Sequence, residues 1–491
     1  MMAPALFILA MVFRLAMWLS PKSLWGDEWF SYGLALEPLK EVMRGSIYDV
    51  HPPLYFLMLH GLVQSFGQSE QVFRFISLIS GTAIAAMIYW IARDVFGERS
   101  ALSALFLTAI SPYWLQSSNE IRSYALLGLA ASMTVFFFIR ALREPERFIW
   151  RAGYVVSATL AIYVEHYAWF VVCATATALL GEKACGRPRK ELWRALRLTL
   201  VAGIPSLVLI AYQSVFREHM FEGYRLREYW SFAVLAKKAA GILWHFTNGY
   251  YFSMLTVEKI DFHLRHTPFF WISAASTFTA GVLTARALRD LFFKNRSYFT
   301  IAVMLLGFPT LILLFFYPIR LDARYLSFSS PFFFVLLGGG LTSLRGKAIK
   351  VLAWILLSGT AIFGSLNTIS LKTDPAHKED YRGLITYVFS KTDNGDVVCG
   401  LSGQVRYYRK RLGFRDRAVV VSELGDLDPV VTRSAKRIWV LDQLNMHDAV
   451  WQRNYEHIKA LLTLLGFTPA QAPYRYGGDE GLVVLYLFER K

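Results

Sequence analysis

The chain has few charged residues and almost no cysteine for its length. Charged side chains make up 18% of the 491 residues, whereas 55% are hydrophobic. A soluble protein of this size and composition would expose too much apolar surface, so we expect the lipid bilayer to be its solvent. Three cysteines cannot build a disulfide framework. The sequence also lacks a Gly-rich phosphate loop. It shows no internal repeat, which argues against a transporter built from repeats.

The net charge of +16 at pH 7 does not indicate a nucleic-acid partner. A basic protein can bind phosphate backbones nonspecifically, and such binding needs a basic face or stripe. Here most of the excess falls in short loops between apolar runs, where Lys and Arg report membrane orientation. We therefore predict no nucleic-acid binding.

Apolar runs recur from the first residues to about residue 370. Each is near the roughly 20 residues that a helix needs to cross about 30 Å of hydrocarbon. The predicted spans are 2–20, 71–93, 99–116, 120–142, 150–164, 167–182, 197–214, 268–288, 298–317, 325–341 and 348–369. The run 51–66 is short and opens with two prolines, so we assign it as a juxtamembrane helix. This leaves two long external segments, 21–70 and 215–267.

Lys and Arg are distributed unequally between alternate loops. With a cytoplasmic N-terminus, the loops inside carry Arg93, Arg99, Arg140, Arg143, Arg147, Arg151, Lys183, Arg187, Arg189, Lys190, Arg194, Arg197, Arg286, Arg289, Lys294, Arg296, Arg345, Lys347 and Lys350. The short outside loops carry only Arg122, Arg320 and Arg324. This bias follows the positive-inside rule and predicts a multi-pass cell-membrane protein with an extracytoplasmic C-terminus.

The last 121 residues differ in character from the rest. Short β-rich runs at 396–399, 418–421, 437–441 and 482–487 alternate with an amphipathic run at 448–465, which predicts a soluble α/β domain. Gln404, Tyr407 and Tyr408 are expected at its surface, without an assigned role. The predicted fold class is thus an α-helical integral membrane protein of about eleven transmembrane helices over residues 1–370, with a C-terminal soluble α/β domain over 371–491.

A carboxylate pair, Asp27 and Glu28, follows the first apolar run within Trp25-Gly26-Asp27-Glu28-Trp29-Phe30. Aromatic walls lower the local dielectric and can raise the pKa of a carboxylate toward that of a useful general base. The alternative is an acidic first turn of an interfacial helix, which Asp and Glu also favour.

Further polar residues mark other external turns. They could contact a phosphate or a sugar, or they could simply cap helices and anchor them in the headgroup region. These candidates are His51 in His51-Pro52-Pro53-Leu54-Tyr55; Glu120, Arg122 and Tyr124 in one turn; His166 and Tyr167 after Glu165; and Arg324 and Tyr325 before a late apolar run. All fall on one side of the membrane under the orientation derived from other loops.

Taken in order, these motifs resemble the GT-C superfamily of polytopic glycosyltransferases, which includes protein O-mannosyltransferases and lipid A aminoarabinose transferases. The resemblance covers about residues 1–370. It implies an inverting transfer of a sugar from a polyprenyl-phosphate donor to a hydroxyl of a lipid, glycan or protein acceptor on the extracytoplasmic face. Alternatives are a lipid-linked oligosaccharide polymerase or ligase, a transporter, or a membrane scaffold.

The resemblance also implies roles for individual residues. Asp27 would be the general base, Glu28 would support it, and Glu120 would be a second carboxylate of the cleft. The implied substrate-binding residues are His51, Arg122, Tyr124, His166, Tyr167, Arg324 and Tyr325, with the two arginines on the departing lipid phosphate. A carboxylate that binds metal in some relatives is Val50 here, so no metal-ligating residue and no obligatory cofactor are predicted, although a divalent metal is compatible. The expected partners are the lipid-linked donor, membrane lipids and the acceptor.

Overall fold

The computed structural model describes residues 2–19, 23–49, 51–186, 189–216, 232–249, 268–316, 323–373, 381–414, 418–423, 427, 433–444, 448–471, 474–476 and 482–490. Val50, Arg320 and most of the predicted external segment 215–267 therefore lie outside the described residues. The chain divides into two compact units. The first comprises residues 1–19 and 34–369, and the second comprises residues 20–33 and 370–491.

The first unit is built from helices. Their bounds are Met2–Trp18, Leu39–Tyr48, Leu54–Phe66, Glu70–Phe96, Glu98–Ala109, Pro112–Ser117, Tyr124–Arg143, Phe148–Val164, Trp169–Ala184, Lys190–Phe216, Phe232–Asn248, Pro268–Lys294, Arg296–Phe316, Ser330–Ser343 and Lys347–Thr373, with 3-10 turns at His166–Ala168 and Ala323–Leu326. The helix Gly26–Leu36 carries the chain from the second unit into the first.

Helical residues occupy every predicted span. Among the described residues, four helices are long and apolar enough to cross a membrane, namely Glu70–Phe96, Tyr124–Arg143, Lys190–Val215 and Lys347–Ile369. Large apolar side chains on such helices are exposed, for example Val201 at 64% and Ile355 at 62%. In water this exposure would be unfavourable, whereas in lipid it costs nothing. The predicted number of about eleven crossings remains a prediction.

The predicted span 99–116 is not one helix. The chain breaks after Ala109 and starts again at Pro112, because Ser111 caps the new helix: its hydroxyl accepts a hydrogen bond from the Trp114 amide at 3.3 Å. Serine at the cap followed by proline in the first turn is a strong helix start. The prediction of a continuous run was therefore wrong, and the break moves the following turn, 118–123, into the protein interior.

The glycine run Gly338-Gly339-Gly340 in helix Ser330–Ser343 permits close packing. A Cβ atom at Gly340 would collide with the carbonyl oxygen of Leu283, and one at Gly338 would collide with the carbonyl oxygen of Ser100. Two helix backbones thus approach this helix more closely than any side chain would allow.

The second unit contains a mixed sheet. The strands are β1 Asp396–Cys399, β2 Val419–Val421, β3 Arg437–Leu444, β4 Phe467–Pro469, β5 Tyr474–Tyr476 and β6 Leu482–Arg490. Four of them, β1, β2, β3 and β6, lie at the predicted β-rich runs, whereas β4 and β5 were not predicted. Their order is β2-β1-β3-β6-β4, with β5 also on β6. The pairs β1–β2 and β1–β3 are parallel, and β6 is antiparallel to β3, β4 and β5.

Helices cover both faces of this sheet, because successive strand residues point to opposite sides. Val398, Trp439 and Leu485 face the helices Tyr381–Lys391 and Ser402–Arg411. Their neighbours in the strands, such as Ile438 and Val484, face the helix Asp448–Leu464.

A buried carboxylate fixes the edge of the sheet where β1 and β3 begin. Asp396, 1% exposed, accepts hydrogen bonds from the Arg437 guanidinium at 2.7 and 3.1 Å and from the Trp439 indole at 3.2 Å. Asp393 also contacts Arg437 at 3.3 Å, but its side chain is 84% exposed. Asp396 raises the pKa of Arg437 through these hydrogen bonds.

Candidate active site

The turn 118–123 brings two predicted site residues into the interior of the first unit. Glu120 is 6% exposed and Arg122 is 9% exposed. The Ser77 hydroxyl donates to the carbonyl oxygens of Glu120 at 2.5 Å and of Arg122 at 3.4 Å. The Gln116 amide donates to the Glu120 carboxylate at 2.9 Å. The turn is therefore held by helix Glu70–Phe96 and by helix Pro112–Ser117.

Arg122 contacts His51 directly. One guanidinium nitrogen lies 2.9 Å from His51 Nε2, and His51 Nδ1 lies 2.7 Å from Glu165 Oε1. A guanidinium only donates hydrogen bonds, so Nε2 must be the acceptor and the ring proton must be on Nδ1. His51 therefore joins a buried cation to a buried carboxylate.

Glu165 is the functional candidate that the sequence analysis missed. It lies one residue beyond helix Phe148–Val164 and is 2% exposed. Burial acts to raise its pKa, but His51, the Ser123 hydroxyl at 2.7 Å and His166 outweigh burial, so its pKa is lowered. A carboxylate that ends an apolar run was a usable signal, because such a group is rarely buried without a partner.

His166 joins the same region through Gln213. The Gln213 amide nitrogen donates to the carbonyl oxygens of Ile47 at 3.2 Å and Asp49 at 2.5 Å, so its oxygen accepts from His166 Nε2 at 2.9 Å. Burial is the main reason why the pKa of His166 is lowered. The chain just before His51, the turn at 165–167 and the helix Lys190–Phe216 are thereby tied together.

The two predicted phosphate-binding arginines meet at one tyrosine. The guanidinium carbons of Arg122 and Arg324 lie 5.7 and 6.0 Å from the centre of the Tyr124 ring. The Tyr325 ring lies 6.3 Å from that of Tyr124 and 5.8 Å from that of Tyr167. Four segments distant in sequence thus converge in the first unit, and six of the eight predicted site residues there belong to one chain of direct contacts.

Asp27 and Glu28 belong to the second unit and occupy the first turn of helix Gly26–Leu36. Glu28 is 1% exposed, and its carboxylate accepts a hydrogen bond from the Trp25 amide at 3.4 Å. A glutamate that reaches back three residues in this way caps its helix. Asp27, at the next position toward the N-terminus, is half-buried.

The described residues do not present a metal-ligand set. No group of three or more His, Cys, Asp or Glu side chains among them is arranged to hold a metal ion. Both ring nitrogens of His51 are engaged, by Arg122 and by Glu165. This donor arrangement fits an ion-pair relay.

Comparison with known proteins gives this arrangement a context. Residues 50–211 match the family model for dolichyl-phosphate-mannose-protein mannosyltransferase. The structure of ArnT from Cupriavidus metallidurans in the apo state is similar to the chain with a TM-score of 0.55 at 13% identity, covering 97% of each chain. The predicted resemblance to the GT-C superfamily is confirmed.

Other GT-C structures are similar over nearly the whole chain. ArnT bound to undecaprenyl phosphate has a TM-score of 0.52 at 14% identity, again covering 97% of each chain. The Archaeoglobus fulgidus oligosaccharyltransferase in complex with Zn and sulfate has a TM-score of 0.53 at 11% identity, covering 96% of this chain and 73% of that one. A search of curated protein sequences finds no match. At these identities the structures show a shared fold.

Proposed function

We propose that the protein is an inverting glycosyltransferase that moves a sugar from a polyprenyl-phosphate donor to a hydroxyl acceptor on the extracytoplasmic face of the membrane. The observation that carries the proposal is the convergence of Arg122 and Arg324 on Tyr124, beside the buried His51 and Glu165. The proposal agrees with the GT-C fold, whose members include a structure bound to undecaprenyl phosphate.

The charges of the first unit suit an arriving lipid phosphate. His51 lies between Glu165 and Arg122, so the carboxylate offsets the charge of that guanidinium, and Arg324 adds a second guanidinium near the Tyr124 ring. Guanidinium groups bind phosphate oxygens with charge-assisted hydrogen bonds, which strengthen as charge develops on the leaving group. In this role Arg122 and Arg324 bind the donor phosphate, and Tyr124, Tyr167 and Tyr325 shape the surface around it.

Asp27 is the proposed base. Its carboxylate takes the proton from the acceptor hydroxyl as that oxygen forms a bond to the anomeric carbon of the sugar. The bond from that carbon to the phosphate oxygen breaks on the opposite face, so the configuration inverts. The polyprenyl phosphate leaves as a dianion, a charge that guanidinium groups stabilise. The helix-capping contact of Glu28 supports a positioning role for that residue, and Glu120 is the second carboxylate of the cleft.

The extracytoplasmic orientation rests on the loop charges. Lys and Arg cluster in alternate loops, whereas the proposed site residues come from the intervening ones. A lipid-linked donor fits this side, because its prenyl chain can stay in lipid while its phosphate reaches the arginines.

The test is transfer by the purified full-length protein in lipid nanodiscs. It is given polyprenyl-phosphate sugars labelled in the sugar, together with a panel of lipid, glycan and peptide acceptors. Transfer with release of polyprenyl phosphate and inverted anomeric configuration is expected. Asp27→Asn should reduce the rate by at least about 100-fold, the low end for loss of a general base.

Glu37→Gln is the matched control, since Glu37 is an exposed carboxylate just beyond the end of the same helix. It should leave the rate unchanged. Full activity of Asp27→Asn would refute the base assignment. Absence of transfer with every donor, together with no measurable binding of polyprenyl phosphate, would refute the function itself.

A further inference from the structure

The segment that carries Asp27 is held by a helix far away in sequence. Tyr408, in helix Ser402–Arg411, is fully buried rather than at the surface as expected. Its hydroxyl accepts a hydrogen bond from the Leu24 amide at 2.9 Å and lies 3.1 Å from the Ser23 hydroxyl. Both partners precede Asp27 by only a few residues, so this one hydroxyl fixes the chain as it enters the helix.

Aromatic packing holds the other end of the same segment. The Trp29 ring packs edge to face against Tyr408, Tyr407 and Tyr381, at centroid distances of 5.9, 5.4 and 6.3 Å. Such pairs add specific geometry to the area that they bury. Asp27 therefore lies between two anchors, Leu24 and Trp29, and residues of the C-terminal part of the chain provide both.

Burial makes the hydroxyl contact important. Leu24 is 0% exposed, and its amide has the Tyr408 hydroxyl as a partner. A buried amide that loses its acceptor must move toward another polar group or toward water. The segment would then shift, and Asp27 would shift with it.

We propose that Tyr408 is a positioning residue for Asp27, and that the C-terminal part of the second unit serves to hold the proposed base in place. The inference rests on the proposed function, because it needs Asp27 to act as the base. It assigns a catalytic task to a part of the chain for which the sequence indicated none.

The test compares Tyr408→Phe with the unchanged full-length protein in the transfer assay. The phenyl ring keeps the packing against Trp29, while the hydroxyl contact is lost. We expect kcat to fall by about tenfold, since misplacement of a reacting group by 1 Å can cost about 100-fold. Binding of polyprenyl phosphate should be unchanged, because no donor contact is altered. A purely structural role would instead lower the amount of active protein without this separation.

Tyr407→Phe is the matched control. Tyr407 is the adjacent residue on the same helix and packs on the same Trp29 ring, but its hydroxyl accepts from Arg411 at an exposed position, 3.0 Å away. This variant should keep full kcat. An equal loss in both variants would overturn the role of the Tyr408 hydroxyl.

A double substitution tests whether Tyr408 acts through Asp27. In Asp27→Glu the carboxylate is already displaced by one methylene. Adding Tyr408→Phe should then reduce the residual rate by less than about threefold, because the effects of substitutions in one network are not additive. A further tenfold loss would show that the two residues act independently and would overturn the inference.

Two outcomes separate this inference from the proposed function. If Asp27→Asn is inactive and Tyr408→Phe is fully active, only the positioning role fails. If Asp27→Asn is fully active, the base assignment itself fails. Should Tyr408→Phe not fold, Ser23→Ala replaces it, since it removes one of the same contacts; a smaller loss of kcat supports the inference, and full kcat overturns it.

Discussion

The two units hold their candidate catalytic residues by different means. In the first unit, polar side chains hold one another: Arg122, His51 and Glu165 form a buried relay. In the second unit, Asp27 is fixed through its chain neighbours, which are held by a tyrosine hydroxyl and by aromatic packing. The buried relay is sensitive to changes in charge and pH. The aromatic contacts are sensitive to the volume of the side chains and to the loss of a single hydroxyl group. The two halves of the proposed reaction should therefore fail under different perturbations.

The largest expected effect concerns the stability of the second unit. Asp396→Ala removes the acceptor of Arg437 and Trp439, and breaking a buried pair of this kind costs about 3 kcal/mol of unfolding free energy. Hydrogen exchange measured by mass spectrometry should show faster exchange over residues 381–490, while polyprenyl-phosphate binding persists. Asp393→Ala, which alters an exposed partner of the same arginine, should cost less than about 1 kcal/mol. Equal effects of the two variants would contradict the assigned role of Asp396.

Glu165→Gln tests the relay in the first unit. The variant removes a buried charge that accepts from Ser123 and contacts His51, and charge-assisted hydrogen bonds contribute about 2 kcal/mol each. Thermal unfolding in detergent should move to lower temperature, and polyprenyl-phosphate binding should weaken. Glu144→Gln, at a more exposed pair with Arg147, is the control and should leave both unchanged. Unchanged stability of Glu165→Gln would show that the relay does not hold the site.

Arg324→Gln tests whether this arginine of the first unit binds the donor phosphate. We expect polyprenyl phosphate to bind about tenfold more weakly, which corresponds to about 1.4 kcal/mol, because one of two guanidinium groups is lost. Arg345→Gln removes an equally basic but exposed side chain from another loop and should not change binding. If both variants bind alike, general electrostatic attraction explains the affinity and Arg324 is not a specific contact.

The smallest expected effect is a change in pH dependence. Burial is the main reason why the pKa of His166 is lowered in the folded protein. The stability that the neutral side chain contributes is complete above pH 6.5, its ordinary pKa, and it is lost as the pH falls through the lowered pKa. The melting temperature should therefore decline from about pH 6.5 downward. His166→Gln, which can still donate to Gln213, should reduce that decline, and an unchanged decline in this variant would contradict the role of His166. The lowered pKa of Glu165 acts only in a more acidic range.

The sequence by itself determined the parts of the fold that depend on local pattern. Apolar runs placed helices at every predicted span, because a helix in lipid must satisfy its backbone internally and present apolar side chains. Short β-rich runs placed β1, β2, β3 and β6 correctly, because β-branched and aromatic residues favour strands. The order of the motifs indicated the GT-C resemblance. That resemblance implied that Arg122, Tyr124, Arg324 and Tyr325 bind substrate.

Tertiary structure alone decided which of these residues are partners. Glu165 became the acceptor of the relay only because three distant segments bring His51 and Ser123 to it, and no spacing in the sequence encodes that meeting. Tyr408 was expected at the surface, yet it is 0% exposed within a core cluster and its hydroxyl accepts a hydrogen bond from the Leu24 amide. Local pattern depends on short-range sterics and solvation, whereas burial and partnership depend on long-range packing, which the order of residues does not reveal.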